Sequence, residues 1–74
     1  MITPTTIAPH VGSDALDRIA ITRIDCTPEV EVRGMDADWI AVVRARLRRA
    51  GFRCSKVRGG DGASLYFRVA EVRR

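Results

Sequence analysis

Two apolar periods divide this chain, one of two residues and one of three to four. In "RIAITRIDC", residues 18–26, the period is two: Ala20, Thr22, Ile24 and Cys26 share one face, and Ile19, Ile21 and Arg23 the other. "EVEVR" alternates more cleanly, with Val30 and Val32 inward and Glu29, Glu31 and Arg33 outward. Pro28 stands between them and cannot donate to a ladder. The pattern therefore predicts a hairpin turning near Thr27 and Pro28, with one long bent edge strand as its rival. Gly34 is expected to end the second strand.

From Ala37 to Ala50 the period lengthens. Trp39, Ile40, Val43, Leu47 and Ala50 recur at helical spacing and form the expected buried stripe. Asp36 offers an N-cap carboxylate, and Asp38 sits in the first turn, where the helix dipole favours an acid. Gly51 occupies the position at which a left-handed glycine ends a helix. "FRCSKVR" then reads as a strand with Phe52 and Cys54 inward, and its phase slips before Val57, the mark of a bulge. "GGDG" at 59–62 signals a turn. "ASLYFRVAEV" follows as the clearest strand, with Leu65, Phe67 and Val69 on one face.

The predicted order is β-β-α-β-β, an α+β fold with one helix laid on one face of a small antiparallel sheet of three or four strands. The opposite face would carry Tyr66, Arg68, Arg53 and Ser55. Residues 1–12, "MITPTTIAPHVG", show no apolar period and contain two prolines, and Ser13 or Asp14 could cap no more than one helical turn. Residues 1–17 are thus expected to be a flexible arm, and residues 18–74 a single domain.

Seventy-four residues lie near the lower limit for folding without staples. Large side chains are scarce (Met35, Trp39, Phe52, Tyr66 and Phe67), so a homodimer, or a partner covering apolar surface, would add stability. Cys26 and Cys54 form no CxxC, and no signal peptide or membrane span is evident. Reduced thiols in a cytoplasmic protein are expected, with both cysteines acting as small hydrophobes rather than as a disulfide or ligands.

Catalytic chemistry finds little to work with. The lone histidine, His10, lies in the expected arm, and helix capping accounts for the pairs Asp14/Asp17 and Asp36/Asp38. A metal site from His10, Asp14 and Asp17 lacks any ligand-spacing signature. Ser55 and Ser64 have no nearby base. Cys54 has no histidine partner, although Arg53 and Lys56 could lower its pKa. "GGDG" lacks the helix and the Lys-Ser/Thr of a phosphate loop. No enzyme activity, cofactor or metal is expected.

Charge is more informative. Residues 1–38 carry three basic and seven acidic side chains, a net of −4; residues 39–74 carry ten basic and two acidic, a net of +8; together they give the chain's +4. Arg44, Arg48, Arg49, Arg53, Lys56, Arg58 and Arg68 could gather into a basic patch with Tyr66 as a stacking platform, suited to nucleic acid or a nucleoprotein complex. Alternatively, the acidic first hairpin pairs with the basic second one in solvent, where each pair contributes about 0–1 kcal/mol. In that case the chain would be a protein-only interaction module, expected to be a homodimer, with Glu29, Glu31 or Trp39 at its interface.

"VVRARLRRAGFRCSKVRGGDGASLYFRV" resembles the helix–strand–turn–strand stretch of small bacterial toxins with a double-stranded-RNA-binding-like fold. Those toxins carry Gly-Ser-His ahead of the last strand, where this chain has Gly59, Gly60, Asp61 and Gly62. The resemblance therefore does not bring RNA cleavage with it. In size, single-domain character and lack of an active site the chain is also similar to small phage or mobile-element inhibitors, including anti-CRISPR proteins. That similarity implies action by occupying a site and assigns no residue. The expectation is a non-catalytic binding protein whose basic second half docks on nucleic acid or on a complex that processes it.

Overall fold

In the computed structural model of the protein, residues 2–24, 28–59, 62 and 64–70 are described. The chain runs α1 (Pro4–Val11), α2 (Ser13–Leu16), β1 (Ile19–Arg23), β2 (Glu29–Gly34), α3 (Ala37–Arg49), β3 (Arg53–Cys54), β4 (Arg58–Gly59) and β5 (Leu65–Ala70). The fold is α+β, with a five-stranded antiparallel sheet in the order β1-β2-β5-β3 and β4 also paired to β5. The expected β-β-α-β-β order is corrected in two places: helices precede the first strand, and the third strand is split.

The expected arm over residues 1–17 is instead two helices docked on the core. Thr3 caps α1, accepting from the Thr6 N–H at 3.3 Å, while the Thr6 hydroxyl accepts from the Thr3 N–H at 3.1 Å. Pro4 follows, at the start of the helix, where its missing N–H costs nothing. Pro9 lies inside the helix and forfeits a backbone bond. Burial offsets that loss, because Ile7, Val11 and Ala15 recur every four residues and are fully buried with Ile2. Arg46 of α3 fastens this segment: its guanidinium donates to the Val11 carbonyl at 2.7 Å and to both Asp14 carboxylate oxygens at 2.9 and 3.1 Å.

α3 forms as its sequence dictates. The Asp36 carboxylate accepts from the N–H groups of Asp38 and Trp39. Ile40, Val43 and Leu47 face Val30, Val32, Phe67 and Val69 of the sheet in one buried cluster. Trp39 is half-buried at its margin, and Ala50 is exposed rather than part of the stripe. At the C-terminus, the Gly51 N–H donates to the Arg48 carbonyl and the Phe52 N–H to that of Leu47, both at 3.0 Å. Gly51 takes φ +102°, so this Schellman turn needs glycine. Gly34 ends β2 as expected, paired with Ile19 and Leu65. A Cβ there would come within 3.1 Å of Ile40 Cδ1 and 3.2 Å of the Arg18 carbonyl, so its bareness lets α3 lie close to the sheet.

β1 and β2 form the expected hairpin, although Asp25, Cys26 and Thr27 of the connection lie outside the described residues, as do Gly60 and Asp61 of "GGDG". The slip before Val57 is present. Cys54 pairs with Val69 and Arg58 with Tyr66, so three residues (Ser55, Lys56, Val57) oppose two (Phe67, Arg68). Among the described residues no helix is long and apolar enough to cross a membrane.

Candidate nucleic-acid interface

The cross-strand register decides which side chains meet. With α1 and α3 over one face of the sheet, the other face carries three rows. Ala20, Arg33, Tyr66 and Arg58 form the first; Thr22, Glu31 and Arg68 the second; Glu29, Ala70 and Arg53 the third. Among the described residues of this face acids are confined to β2, and the β5–β4–β3 side carries only cations, Tyr66 and small residues.

The bulge builds the middle of this surface. It takes the Arg68 N–H out of the regular ladder, and the Ser55 hydroxyl accepts from it at 2.8 Å. The Ser55 N–H in turn donates to the Arg68 carbonyl at 2.9 Å. The Ser55 carbonyl points outward and accepts from Arg44 Nε of α3 at 2.8 Å. One residue thus ties the sheet face to the helix across the edge strand. A cleft of about 320 Å³, lined by Ser55, Arg58, Tyr66 and Arg68, opens on the sheet-face side. A recess of about 460 Å³, lined by Arg44, Arg48, Gly51, Phe52, Arg53 and Cys54, opens on the helix side.

The expected patch is therefore folded around an edge. Arg58, Tyr66 and Arg68 share one cleft; Arg44, Arg48 and Arg53 share the other. Arg49 and Lys56 are exposed nearby and line neither. Among the described residues no carboxylate lies within ion-pair distance of Arg44, Arg48, Arg49, Arg53, Lys56, Arg58 or Arg68. The ion pairs formed by Arg33 with Glu31 (3.4 Å), beside Tyr66 and Arg68 on the sheet face, and by Arg46 with Asp14 (2.9 Å) use none of these seven. Arg44 and Arg48 stand one turn apart on α3, a like-charge spacing that costs a helix about 0.2–0.5 kcal/mol.

Sequence reasoning missed Arg33. It lies across the ladder from Tyr66, its guanidinium 5.0 Å from the ring centroid, and is held by Glu31 and by the Ser64 hydroxyl at 3.1 Å. Its outward phase is legible in "EVEVR", but its aromatic partner depends on β2 pairing with β5. The alternative interface residues do not converge. Glu29 and Glu31 lie on the sheet face, whereas Trp39 belongs to the helical layer, with the Arg18 guanidinium 5.1 Å from its ring.

The residues considered for catalysis have other occupations. His10 packs edge-on against Phe52, centroids 5.3 Å apart. Asp14 is bound by Arg46, whose guanidinium holds its carboxyl below the ordinary aspartate value. Cys54 is a free thiol, and burial pushes its pKa up despite the opposing pull of Arg44 and Arg48. The half-buried sulfur loses more hydration than the guanidinium groups return, which fits the small hydrophobe expected there and not the lowering that basic neighbours could have given. Cys26 lies outside the described residues.

No protein-family model matches the chain, and comparison with curated proteins and with solved structures gives no significant match. The functional reading rests on geometry and charge.

Proposed function

We propose that the protein binds nucleic acid, free or exposed within a nucleoprotein complex, through the basic surface wrapped around the β3–β4 edge. It acts by occupancy, without catalysis, in the manner of a small phage-type inhibitor or regulator. The observation that carries this reading is the set of seven cations, Arg44, Arg48, Arg49, Arg53, Lys56, Arg58 and Arg68, with no carboxylate partner among the described residues. A surface that serves only solubility intersperses both signs. Here like charges crowd together on rigid elements, and phosphates would relieve their repulsion.

Titration of labelled duplex and single-stranded DNA and RNA tests the proposal. Binding is expected at low salt, and Arg53→Glu, Lys56→Glu and Arg58→Glu together should abolish it. All three side chains are exposed, so the circular dichroism spectrum should be unchanged. Absence of binding at low salt would refute the proposal.

A second reading, a protein-only interaction module, draws on a different surface. Asp36, Asp38, Trp39, Val42 and Arg46 line a recess of about 290 Å³, and Met35 beside it is 70% exposed. Light scattering, with and without a Met35→Asp and Val42→Asp change, separates the two readings. Loss of a dimer through those substitutions would favour the second.

A further inference from the structure

We infer that the sheet-face cleft takes a base of a single strand, stacked on Tyr66, with its flanking phosphates on Arg58 and Arg68. The inference rests on the nucleic-acid reading above and names the form of nucleic acid that this surface recognises.

Three observations carry it. Tyr66 lies on the helix-free face of the sheet, in the interior of β5, where the strands on both sides fix its backbone. The ring is held in place from the β2 side by Arg33, itself fastened at both ends by Glu31 and Ser64. On the β4 side the ring borders the cleft that it shares with Ser55, Arg58 and Arg68. A planar π surface is thus presented beside two guanidinium groups that no described carboxylate engages. The volume of about 320 Å³ is at the small end for a ligand pocket, a scale suited to one planar group and its substituents.

The polar groups of Ser55 at this cleft are already engaged, its hydroxyl also donating to the Lys56 carbonyl at 3.2 Å. The Ser55 N–H and hydroxyl both serve Arg68, and the Ser55 carbonyl serves Arg44. What the lining offers a ligand is the Tyr66 ring with its hydroxyl and the guanidinium donors of Arg58 and Arg68. That combination matches base stacking plus phosphate contact, tolerant of sequence. A duplex cannot stack on the ring in this way, because its paired bases bury their π faces against one another. On this surface a duplex would meet the cations alone.

The test compares wild type, Tyr66→Leu and Tyr66→Trp on a short oligothymidylate, an oligouridylate and a duplex of mixed sequence. The two oligonucleotides separate DNA from RNA as the source of the strand. Tyr66→Leu should weaken binding to at least one single strand by about 5- to 150-fold while changing duplex affinity by less than about twofold. Tyr66→Trp should preserve single-strand binding, and its emission, after subtraction of the Trp39 signal from wild type, should be quenched on addition of the strand. Quenching keeps the inference testable if the leucine variant does not fold. An unchanged single-strand affinity in Tyr66→Leu, an equal loss on duplex, or unquenched emission from the indole introduced by Tyr66→Trp would overturn it and leave nucleic-acid binding standing. No binding of wild type to any of the three probes would instead remove the broader proposal and this one with it.

Discussion

Ile7→Ala asks whether the N-terminal segment is part of the core or merely lies near it. The Ile7 side chain is fully buried, in the cluster that holds Val43, Leu47, Phe67 and Val69. Truncating such an isoleucine removes its transfer free energy and leaves a cavity, together costing about 2–5 kcal/mol. Alanine is the better helix former, which returns a few tenths of a kcal/mol at most. The expected net loss is about 2–4 kcal/mol. A chain of this length has a total stability of roughly 4–11 kcal/mol, at about 0.05–0.15 kcal/mol per residue. One substitution in the supposed arm should thus remove about a fifth of it or more. In a domain of this size each kcal/mol shifts the midpoint by about 4–8 °C, so thermal unfolding should move down by roughly 10–30 °C. Urea unfolding should show the same loss, and Thr5→Ala, exposed on the same helix, gives the control with a change under about 0.5 kcal/mol. An Ile7→Ala protein as stable as that control would refute the docked helix and restore a detached arm.

Three further outcomes follow from the same geometry. Gly34→Ala should destabilise by about 1–3 kcal/mol in urea unfolding, since the Arg18 carbonyl at 3.2 Å from the new methyl cannot swing aside; a neutral effect would mean α3 has slack over the sheet. The Asp14–Arg46 pair depresses the Asp14 pKa, so its contribution is complete above the ordinary aspartate value and is lost as pH falls through the lower, folded one. An NMR titration of the Asp14 carboxyl carbon should find its midpoint below the ordinary aspartate value, and Arg46→Met should raise it. Cys54 should alkylate with iodoacetamide more slowly than a free thiol at about pH 8 and recover the normal rate in denaturant; a native rate faster than that of free cysteine would contradict the raised pKa.

Much of the fold was legible because local chemistry and tertiary packing agree. α3 carries its cap at Asp36, its stripe at Ile40, Val43 and Leu47, and its stop at Gly51, each written within a few residues of where it acts. β2 and β5 alternate cleanly because one face of each is buried under helices. α1 was not legible, although Ile7, Val11 and Ala15 stand at four-residue spacing. Pro9 and Gly12 break the propensity there, and only burial against α3 and the sheet offsets their cost. Which residues carry the positive charge could be read from the sequence, but not how the strands and helix arrange them. Arg44 and Arg48 belong to the helical layer and Tyr66 and Arg68 to the opposite sheet face, so they adjoin only around the bulged edge. Arg33 and Ser55 became visible through pairings that join β2 and the bulge to β5, which are long-range choices.

The most direct test of the central claim is the salt dependence of single-strand affinity, measured on wild type and on the Arg53→Glu, Lys56→Glu, Arg58→Glu protein. If about four to seven cations meet phosphates, log K should fall with log salt at a slope of about −3 to −5, a loss of roughly 10²–10³ between about 50 and 200 mM. The substituted protein should bind too weakly for a slope to be drawn. A wild-type slope near zero, or undiminished binding after the three reversals, would mean that the cations around the β3–β4 edge are not the binding surface.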